Sequence, residues 1–325
     1  MSLRNPRKRL FGRTFTALAT LCLSLGTVLL AGGAVSAQPK VLPNRGGDYL
    51  ALGDSVAFGY IPSPPESVSG YADPSNFVSY ANYTADALGL AVTNASCPGE
   101  TTGSMINTSA ISNGCENTLG YPAGYRTLYP LHVSYTGSQL AYAVSFLTDH
   151  SNTRLVTIDI GANDAFVCQE LDNGCTTTAE LKSVMDTIAT NLGKIYYAIR
   201  VTAGYQGPIV ALNYYSLSYA NNAYGQQAME LSTLLNKAID APDQAFHVIA
   251  ADGFNAFRLA SEPYGGNVCA AGLLVKVPAK YTSIPGEDCN IHPSLTGHQI
   301  LADAIVNALL SHGYEGAVAS MGRAA

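Results

Sequence analysis

Short apolar runs alternate with longer segments of helical periodicity along most of the chain. The apolar runs occupy residues 49–52, 91–93, 155–160, 209–212 and 247–250. Helical patterns lie near residues 74–88, 138–149, 178–203, 222–240 and 296–311. Strands that alternate with helices pair in parallel, because each helix returns the chain to the same end of the sheet. The alternation therefore predicts an α/β fold around a central five-stranded parallel sheet.

Three long segments between these elements carry no periodicity. Residues 56–73, 97–137 and 261–291 contain many Gly, Pro, Asn and Ser residues, and we predict irregular structure there. Loops of this length in a compact domain usually shape a binding or active site. No internal repeat or linker interrupts the pattern, so a single domain is expected over residues 38–313, followed by a disordered tail at 314–325.

The N-terminal segment is typical of a secretory signal peptide. Five basic residues precede an apolar run over residues 14–31, and small residues end at Val35-Ser36-Ala37. The run is also long enough for a membrane anchor, but the Val-x-Ala ending favours cleavage before Gln38. We therefore expect residues 1–37 to be removed and the protein to be secreted, without a stable membrane anchor.

The cysteines agree with export. Six remain after residue 37, and an even number outside the cell indicates disulfides. Several pairings are open, but the cysteines lie along the chain as three close pairs. This order favours Cys97–Cys115, Cys168–Cys175 and Cys269–Cys289. A metal site is the alternative, and the lack of a C-x-x-C motif and of nearby histidines speaks against it.

Charge and motifs narrow the classes of partner. Removal of residues 1–37 leaves 12 basic residues against 23 acidic ones, a net charge of −11. Such an acidic chain disfavours nucleic acid as a partner. The sequence has no P-loop, no dinucleotide-binding glycine pattern and no H-E-x-x-H motif, so we expect no cofactor and no metal. A monomer is the expected state.

The segment Gly53-Asp54-Ser55 follows the first apolar run directly. Open α/β sheets bind ligands at the carboxyl ends of their strands, so a serine here is a candidate nucleophile. A serine in an ordinary turn is the alternative. The α/β-hydrolase nucleophile elbow is excluded, because that motif belongs to a later strand.

Three further blocks follow in order along the chain. They are Asn94-Ala95-Ser96-Cys97-Pro98-Gly99-Glu100-Thr101, then Gly161-Ala162-Asn163-Asp164, then His292-Pro293-Ser294 with Gly297-His298. With Gly53-Asp54-Ser55, these blocks resemble the GDSL family of the SGNH hydrolase superfamily over essentially the whole mature chain. The likeness is nearest to secreted lipases and esterases of the actinobacterial type. It implies a flavodoxin-like three-layer α/β/α fold and hydrolysis of carboxylic esters.

The resemblance also implies roles for individual residues. Ser55 corresponds to the nucleophile, His292 to the general base, and Gly99 and Asn163 to donors of the oxyanion hole, together with the Ser55 backbone N–H. The chemistry agrees, because acyl transfer needs an activated hydroxyl, a base that titrates near neutral pH and donors aimed at the developing oxyanion. Each residue alone also fits an ordinary turn or strand end.

The third catalytic element departs from the family pattern. The family's usual aspartate lies three positions before the histidine, where this chain has Cys289. We expect the Cys289 backbone carbonyl to accept the Nδ1–H bond of His292, with the Asp288 side chain as the alternative.

The expected substrate is a small-molecule or lipid ester, with lipid or aliphatic acyl esters ahead of acetylated polysaccharides. Tyrosines of the long loops and of residues 214–219 could line a groove for an acyl chain, although tyrosine at such density is more often packing. Two alternatives stay open: a carbohydrate acetylesterase, and a secreted binding protein that retains the fold without turnover.

Overall fold

The computed structural model describes residues 40–41, 46–62, 70–171 and 174–315. The predicted signal peptide lies outside the described residues. The strands are β1 (Lys40–Val41), β2 (Asp48–Gly53), β3 (Ala91–Asn94), β4 (Thr153–Asp159), β5 (Ile209–Leu212), β6 (Val248–Ala251), β7 (Leu274–Lys276), β8 (Cys289–Pro293) and β9 (Tyr314–Glu315).

The central sheet has the strand order β3-β2-β4-β5-β6, and every neighbouring pair is parallel. The five predicted apolar runs coincide with these five strands to within two residues at each end. The predicted α/β class with a five-stranded parallel sheet is therefore confirmed.

Helices cover the sheet. They are α1 (Ser55–Phe58), α2 (Tyr80–Leu88), α3 (Thr102–Ile106), α4 (Tyr125–Leu128), α5 (Gln139–Asp149), α6 (Ala162–Glu170), α7 (Thr178–Tyr197), α8 (Ala223–Asp240), α9 (Asp243–Phe246), α10 (Gly253–Ser261) and α11 (Leu295–Ser311). The five predicted helices correspond to α2, α5, α7, α8 and α11. The predicted helix at 74–88 is divided into a 3-10 turn at Pro74–Asn76 and α2, and α7 continues into a π-helical turn at Ala198–Thr202.

Both faces of the sheet are buried. All four residues from Tyr49 to Leu52 are inaccessible to solvent, although successive side chains of a strand point to opposite faces. Helix α11 packs with α2 and α10 in one layer, while α7 packs with α8, α3 and α6 in the other. The result is the expected three-layer α/β/α arrangement.

The long predicted loops contain more structure than expected. Segment 97–137 includes α3 and α4, and segment 261–291 includes β7 and the start of β8, which form an antiparallel pair. Within the predicted tail, Tyr314–Glu315 pairs in parallel with Lys40–Val41, contrary to the expected disorder of these two residues. Residues 316–325 lie outside the described residues.

Three disulfides link the loops: Cys97–Cys115, Cys168–Cys175 and Cys269–Cys289. The pairing favoured from the order of the cysteines is therefore confirmed. Across the described part of the chain, no helix has the length and apolar character that crossing a membrane requires.

The strand order places a crevice beside β2. The chain passes from β2 to β3 on one side and returns to β4 on the other, so the connections diverge at the carboxyl ends of β2 and β4. Such a divergence is where open α/β sheets bind ligands. The segments that follow β2, β3 and β4 carry Ser55, Gly99 and Asn163.

Candidate active site

Ser55 lies at the junction between the carboxyl end of β2 and the short helix α1. Gly53 makes this junction possible: its φ is +140°, and a Cβ there would lie 2.1 Å from the Asp159 backbone oxygen of β4. Asp54 then caps α1, because its Oδ1 accepts a 2.9 Å hydrogen bond from the Val56 N–H. Ser55 is thereby held as the first residue of the helix.

His292 reaches Ser55 from β8. The Nε2 of His292 lies 3.0 Å from Ser55 Oγ, although the residues are 237 positions apart. Burial lowers the pKa of the His292 imidazole to about 4, below the near-neutral value expected for the base. The ring is therefore neutral at pH 7 and free to accept the serine proton. The structure therefore brings together the predicted nucleophile and base.

The Nδ1 of His292 contacts the side chain of Asn290, 2.5 Å from its Oδ1. Residues two positions apart on a strand point to the same face, which places Asn290 beside His292 within β8. The Asn290 side chain is held from its other end, because its Nδ2 donates to Ser283 Oγ at 3.0 Å. An amide oxygen therefore occupies the place where many serine hydrolases have a carboxylate.

The contact between His292 and Asn290 corrects the expectation for the third catalytic residue. The Cys289 carbonyl accepts instead from the Ser283 N–H at 3.1 Å. The Asp288 carboxylate is mostly exposed and pairs with Lys276 at 3.2 Å. Neither group contacts His292 Nδ1, because the pleat of β8 gives that position to residue 290. The family's spacing of three positions pointed to the wrong residue.

Two backbone donors lie on the segments beside the crevice. The N–H groups of Ser55 and Gly99 have no hydrogen-bond partner among the described residues. Gly99 adopts a φ of +83°, and a Cβ there would lie 2.4 Å from the Asn113 backbone oxygen. Any other residue at position 99 would therefore displace this loop.

Gln139 couples the loop after β3 to the nucleophile. Its Oε1 accepts from the Gly53 N–H at 2.7 Å, and its Nε2 donates to the Gly53 carbonyl and to Glu100 Oε2, each at 3.0 Å. Burial raises the pKa of Glu100 well above its usual range and so disfavours the charged form of this carboxyl group. The Gln139 amide thus joins Gly53, near Ser55, to Glu100, next to Gly99.

Asn163, the first-turn residue of α6, lies against the nucleophile segment. Its Nδ2 donates to Asp54 Oδ2 at 3.1 Å, and its Oδ1 accepts from Asn113 Nδ2 at 2.8 Å. The Asn113 backbone N–H also donates to the Gly99 carbonyl at 2.7 Å. Asn113 therefore connects the two residues predicted to stabilise the oxyanion. The bond to Asp54 uses one of the two Asn163 N–H groups and leaves the other without a partner among the described residues.

Buried carboxyl groups lie behind these donors. Tyr214 Oη donates to Asp54 Oδ2 at 2.5 Å. Burial raises the pKa of Asp54 to about 7 and that of Asp164 to about 6. Burial and the nearby Asp54 raise the pKa of Asp159 well above its usual range. The raised pKa values limit the negative charge near the place where an oxyanion would form.

An aromatic cluster flanks His292. Tyr60 meets the imidazole edge to face, with the ring centroids 4.9 Å apart. Tyr60 in turn packs against a mostly buried group of rings: Phe58, Tyr71, Phe77, Tyr125 and Tyr129. We refer to Tyr60 and these five rings as the aromatic wall.

The tyrosines expected to line a groove take different positions. Tyr60, Tyr71, Tyr125 and Tyr129 belong to the aromatic wall, whereas Tyr121 is 70% exposed. Tyr214 and Tyr215 are buried supports. Tyr215 Oη donates to the Ile291 carbonyl at 2.6 Å, between Asn290 and His292. Sequence reasoning missed Asn290, Asn113 and Gln139, which are polar residues outside any recognised block.

Comparisons with known proteins identify the family. Residues 49–305 match the family model described as GDSL-like Lipase/Acylhydrolase, so the chain belongs to this family. The expected resemblance is confirmed. Family membership supports an ester hydrolase in general.

Similar solved structures include a phospholipase A1 from Streptomyces albidoflavus NA297, at 20% identity and a TM-score of 0.50, covering 81% of this chain and 98% of that one. An extracellular lipase from Streptomyces rimosus has 18% identity and a TM-score of 0.49, and the match covers 81% of this chain and 99% of that one. A carbohydrate acetylesterase from Sinorhizobium meliloti has 15% identity and a TM-score of 0.46, and the match covers 82% of this chain and 99% of that one. At 20% identity, the likeness to the phospholipase A1 supports the fold and says nothing of the substrate. No curated protein matches the chain in a sequence comparison.

Proposed function

We propose that the protein is a secreted serine hydrolase of carboxylic esters, acting on lipid or aliphatic acyl esters through an acyl-enzyme on Ser55. The observation that carries the proposal is the 3.0 Å contact between Ser55 Oγ and His292 Nε2 at the carboxyl edge of the sheet. A nucleophile within hydrogen-bond reach of a neutral base is the arrangement that acyl transfer requires.

The reaction proceeds in two balanced steps. Ser55 Oγ attacks the ester carbonyl carbon while His292 Nε2 takes the serine proton. The bond from the acyl carbon to the alcohol oxygen then breaks, and Nε2 returns the proton to that oxygen. In the second step a water molecule loses a proton to Nε2 and attacks the acyl-enzyme, and the released Ser55 oxygen recovers the proton.

Neutral dipoles stabilise the oxyanion in both steps. The donors are the backbone N–H groups of Ser55 and Gly99 and the free N–H of Asn163. Asn163 does not itself titrate, so it is a neutral donor throughout the pH range. Donors that are fixed before the reaction need no reorganisation when the charge develops.

The aromatic wall supports the preference for apolar esters. His292 Nε2 delivers the proton to the leaving alcohol, so the groups beside this ring are close to the ester oxygen. Tyr60 lies there, backed by a continuous set of aromatic rings. Tyr60 is only partly buried, and an aromatic ring in this position favours hydrocarbon over a free carboxylate or phosphate.

Export is part of the proposal. The predicted signal peptide and three disulfides support secretion, because disulfides persist in oxidising compartments outside the cytosol. The mature protein would act as a monomer, without nucleic acid, cofactor or metal.

Hydrolysis of p-nitrophenyl esters from acetyl to dodecanoyl tests the activity. Ser55→Ala should abolish turnover and labelling by a fluorescent alkylphosphonate, whereas Ser145→Ala on the exposed side of α5 should leave both intact. Neither turnover nor labelling in the wild type would leave the binding-protein alternative. Activity confined to acetyl groups on oligosaccharides would favour the carbohydrate acetylesterase.

A further inference from the structure

We propose that Asn290 is the positioning residue for His292 and forms an uncharged Ser55–His292–Asn290 triad, which extends the hydrolase activity to acidic pH. The proposal rests on the ester-hydrolase function above and concerns how that site is tuned. It starts from the contact between His292 Nδ1 and Asn290 Oδ1.

Two backbone groups fix which end of the Asn290 amide faces the histidine. The backbone N–H of His292 can only donate, and it lies 3.3 Å from Asn290 Oδ1. The carbonyl of Tyr281 can only accept, and it lies 3.4 Å from Asn290 Nδ2. In the reversed orientation, the amide nitrogen would oppose the His292 N–H, donor against donor, and the amide oxygen would oppose the Tyr281 carbonyl, acceptor against acceptor. The oxygen of Asn290 therefore faces His292.

The amide orientation fixes the histidine tautomer. An amide oxygen accepts and does not donate, so the proton of the neutral imidazole must be on Nδ1. Nε2 then carries the lone pair that faces Ser55 Oγ. Asn290 thereby holds His292 in the one neutral form that can accept the serine proton.

Asn290 differs from an aspartate in its charge. Either side chain would orient the ring, but a carboxylate also stabilises the imidazolium and raises the histidine pKa. Among the described residues, Tyr60 lies 4.9 Å from the ring between centroids, and the buried His298 of α11 is close enough to interact electrostatically with His292. Neither of these neighbours supplies a negative charge.

The nearest acidic side chain along the strand does not substitute for the missing charge. Asp288 points away to Lys276 in the solvent, where the pair is screened. Without a facing carboxylate, burial lowers the pKa of His292 to about 4. The base therefore stays unprotonated, and the site competent, from neutral pH down to this range.

Three variants separate orientation from charge. Asn290→Ala removes the acceptor and should lower kcat about 100-fold, since a misaligned catalytic group costs roughly that much. Asn290→Asp keeps the acceptor and adds a charge, so it should retain activity at neutral pH and shift the acidic limb of kcat/KM upward by about one pH unit or more. Asp288→Ala is the control and should match the wild type in both respects.

The readouts are kcat/KM for p-nitrophenyl butyrate between pH 3.5 and 8, the melting temperature, and the titration of His292 observed by 15N NMR. The NMR titration does not depend on turnover, so it tests Asn290 even if these esters prove not to be substrates. An unshifted His292 titration and acidic limb in a folded Asn290→Asp protein would overturn the proposal. Wild-type kcat in Asn290→Ala would overturn it as well.

Discussion

Removing the Asn163 side chain tests the oxyanion hole most directly. Asn163→Ala deletes one donor from the site, and the loss of one such donor typically lowers kcat about 100- to 1,000-fold, or about 2.7–4 kcal/mol. KM should change little, because the donor acts on the charge that develops in the transition state. Asp54 retains its hydrogen bonds from Val56 and Tyr214, so the local fold should survive.

Asn113 should act only through Asn163. Its side chain contributes one neutral hydrogen bond of 2.8 Å to Asn163 Oδ1. Such a bond is worth about 1 kcal/mol, so Asn113→Ala should lower kcat by roughly fivefold. Once Asn163 is alanine, Asn113 has no catalytic partner to orient. The double variant should therefore be no slower than Asn163→Ala alone.

A double-mutant cycle measures this coupling. The assay is steady-state hydrolysis of p-nitrophenyl butyrate, with melting temperatures recorded for each variant. Asn117→Ala is the matched control, since Asn117 braces the same loop through the Ser112 N–H and the Ala110 carbonyl without contacting Asn163. If the losses of Asn113→Ala and Asn163→Ala multiply in the double variant, Asn113 does not act through Asn163 and the reasoning fails.

Three further outcomes are expected. Gly53→Ala should cost more than about 3 kcal/mol of unfolding free energy in urea, because its Cβ would meet a β4 carbonyl. Gly46→Ala is the matched control: its φ is also positive, at +110°, but its Cβ would meet no atom within 4 Å, so it should cost less. The Cys269–Cys289 disulfide closes a loop of 20 residues, so replacing both cysteines with serine should lower the unfolding free energy by about 3 kcal/mol and also lower kcat. The same change at Cys168–Cys175 should lower the unfolding free energy by about 2 kcal/mol and leave kcat unchanged. Burial raises the pKa of Asp54 to about 7 in the folded protein, so its stabilising contribution is complete below about pH 4 and is lost as the pH rises through 7. In urea unfolding, Asp54→Asn should therefore lose less stability than the wild type between pH 4 and pH 7. An Asp54→Asn profile parallel to the wild type would contradict that assignment.

The central sheet could be predicted from the sequence because its strands are buried on both faces. Apolar runs such as residues 49–52 and 209–212 are bounded by polar, glycine or proline residues, so the type of element and its limits are both visible in the sequence. The hairpin of β7 and β8 gave no such signal. Residues 289–293 include Cys, Asn, His and Pro, and they form a strand only because the tertiary structure pairs them with β7.

The nucleophile and base could be identified because each lies within a recognisable block. Asn290 and Asn113 could not, since their roles depend on positions that only the folded backbone determines. The pleat of β8 aligns residue 290, rather than 289, with His292. Asn113 meets Asn163 across 50 residues of sequence, through a loop whose path no periodicity predicts.

The site therefore depends on two supports of unequal strength. Ser55, Gly99 and Asn163 follow strands of the buried sheet, where opening requires disruption of the core. His292 and Asn290 depend on a short hairpin, held by the Tyr215 hydroxyl, the Cys269–Cys289 disulfide and one strand pair. The hairpin buries Leu274, Ile284 and Cys289 in the core, but it lies outside the five-stranded sheet, so it can open locally at a lower free energy than the sheet. Loss of the base by opening of the hairpin should consequently precede loss of the sheet, which is why activity is a more sensitive measure of the hairpin than the melting temperature.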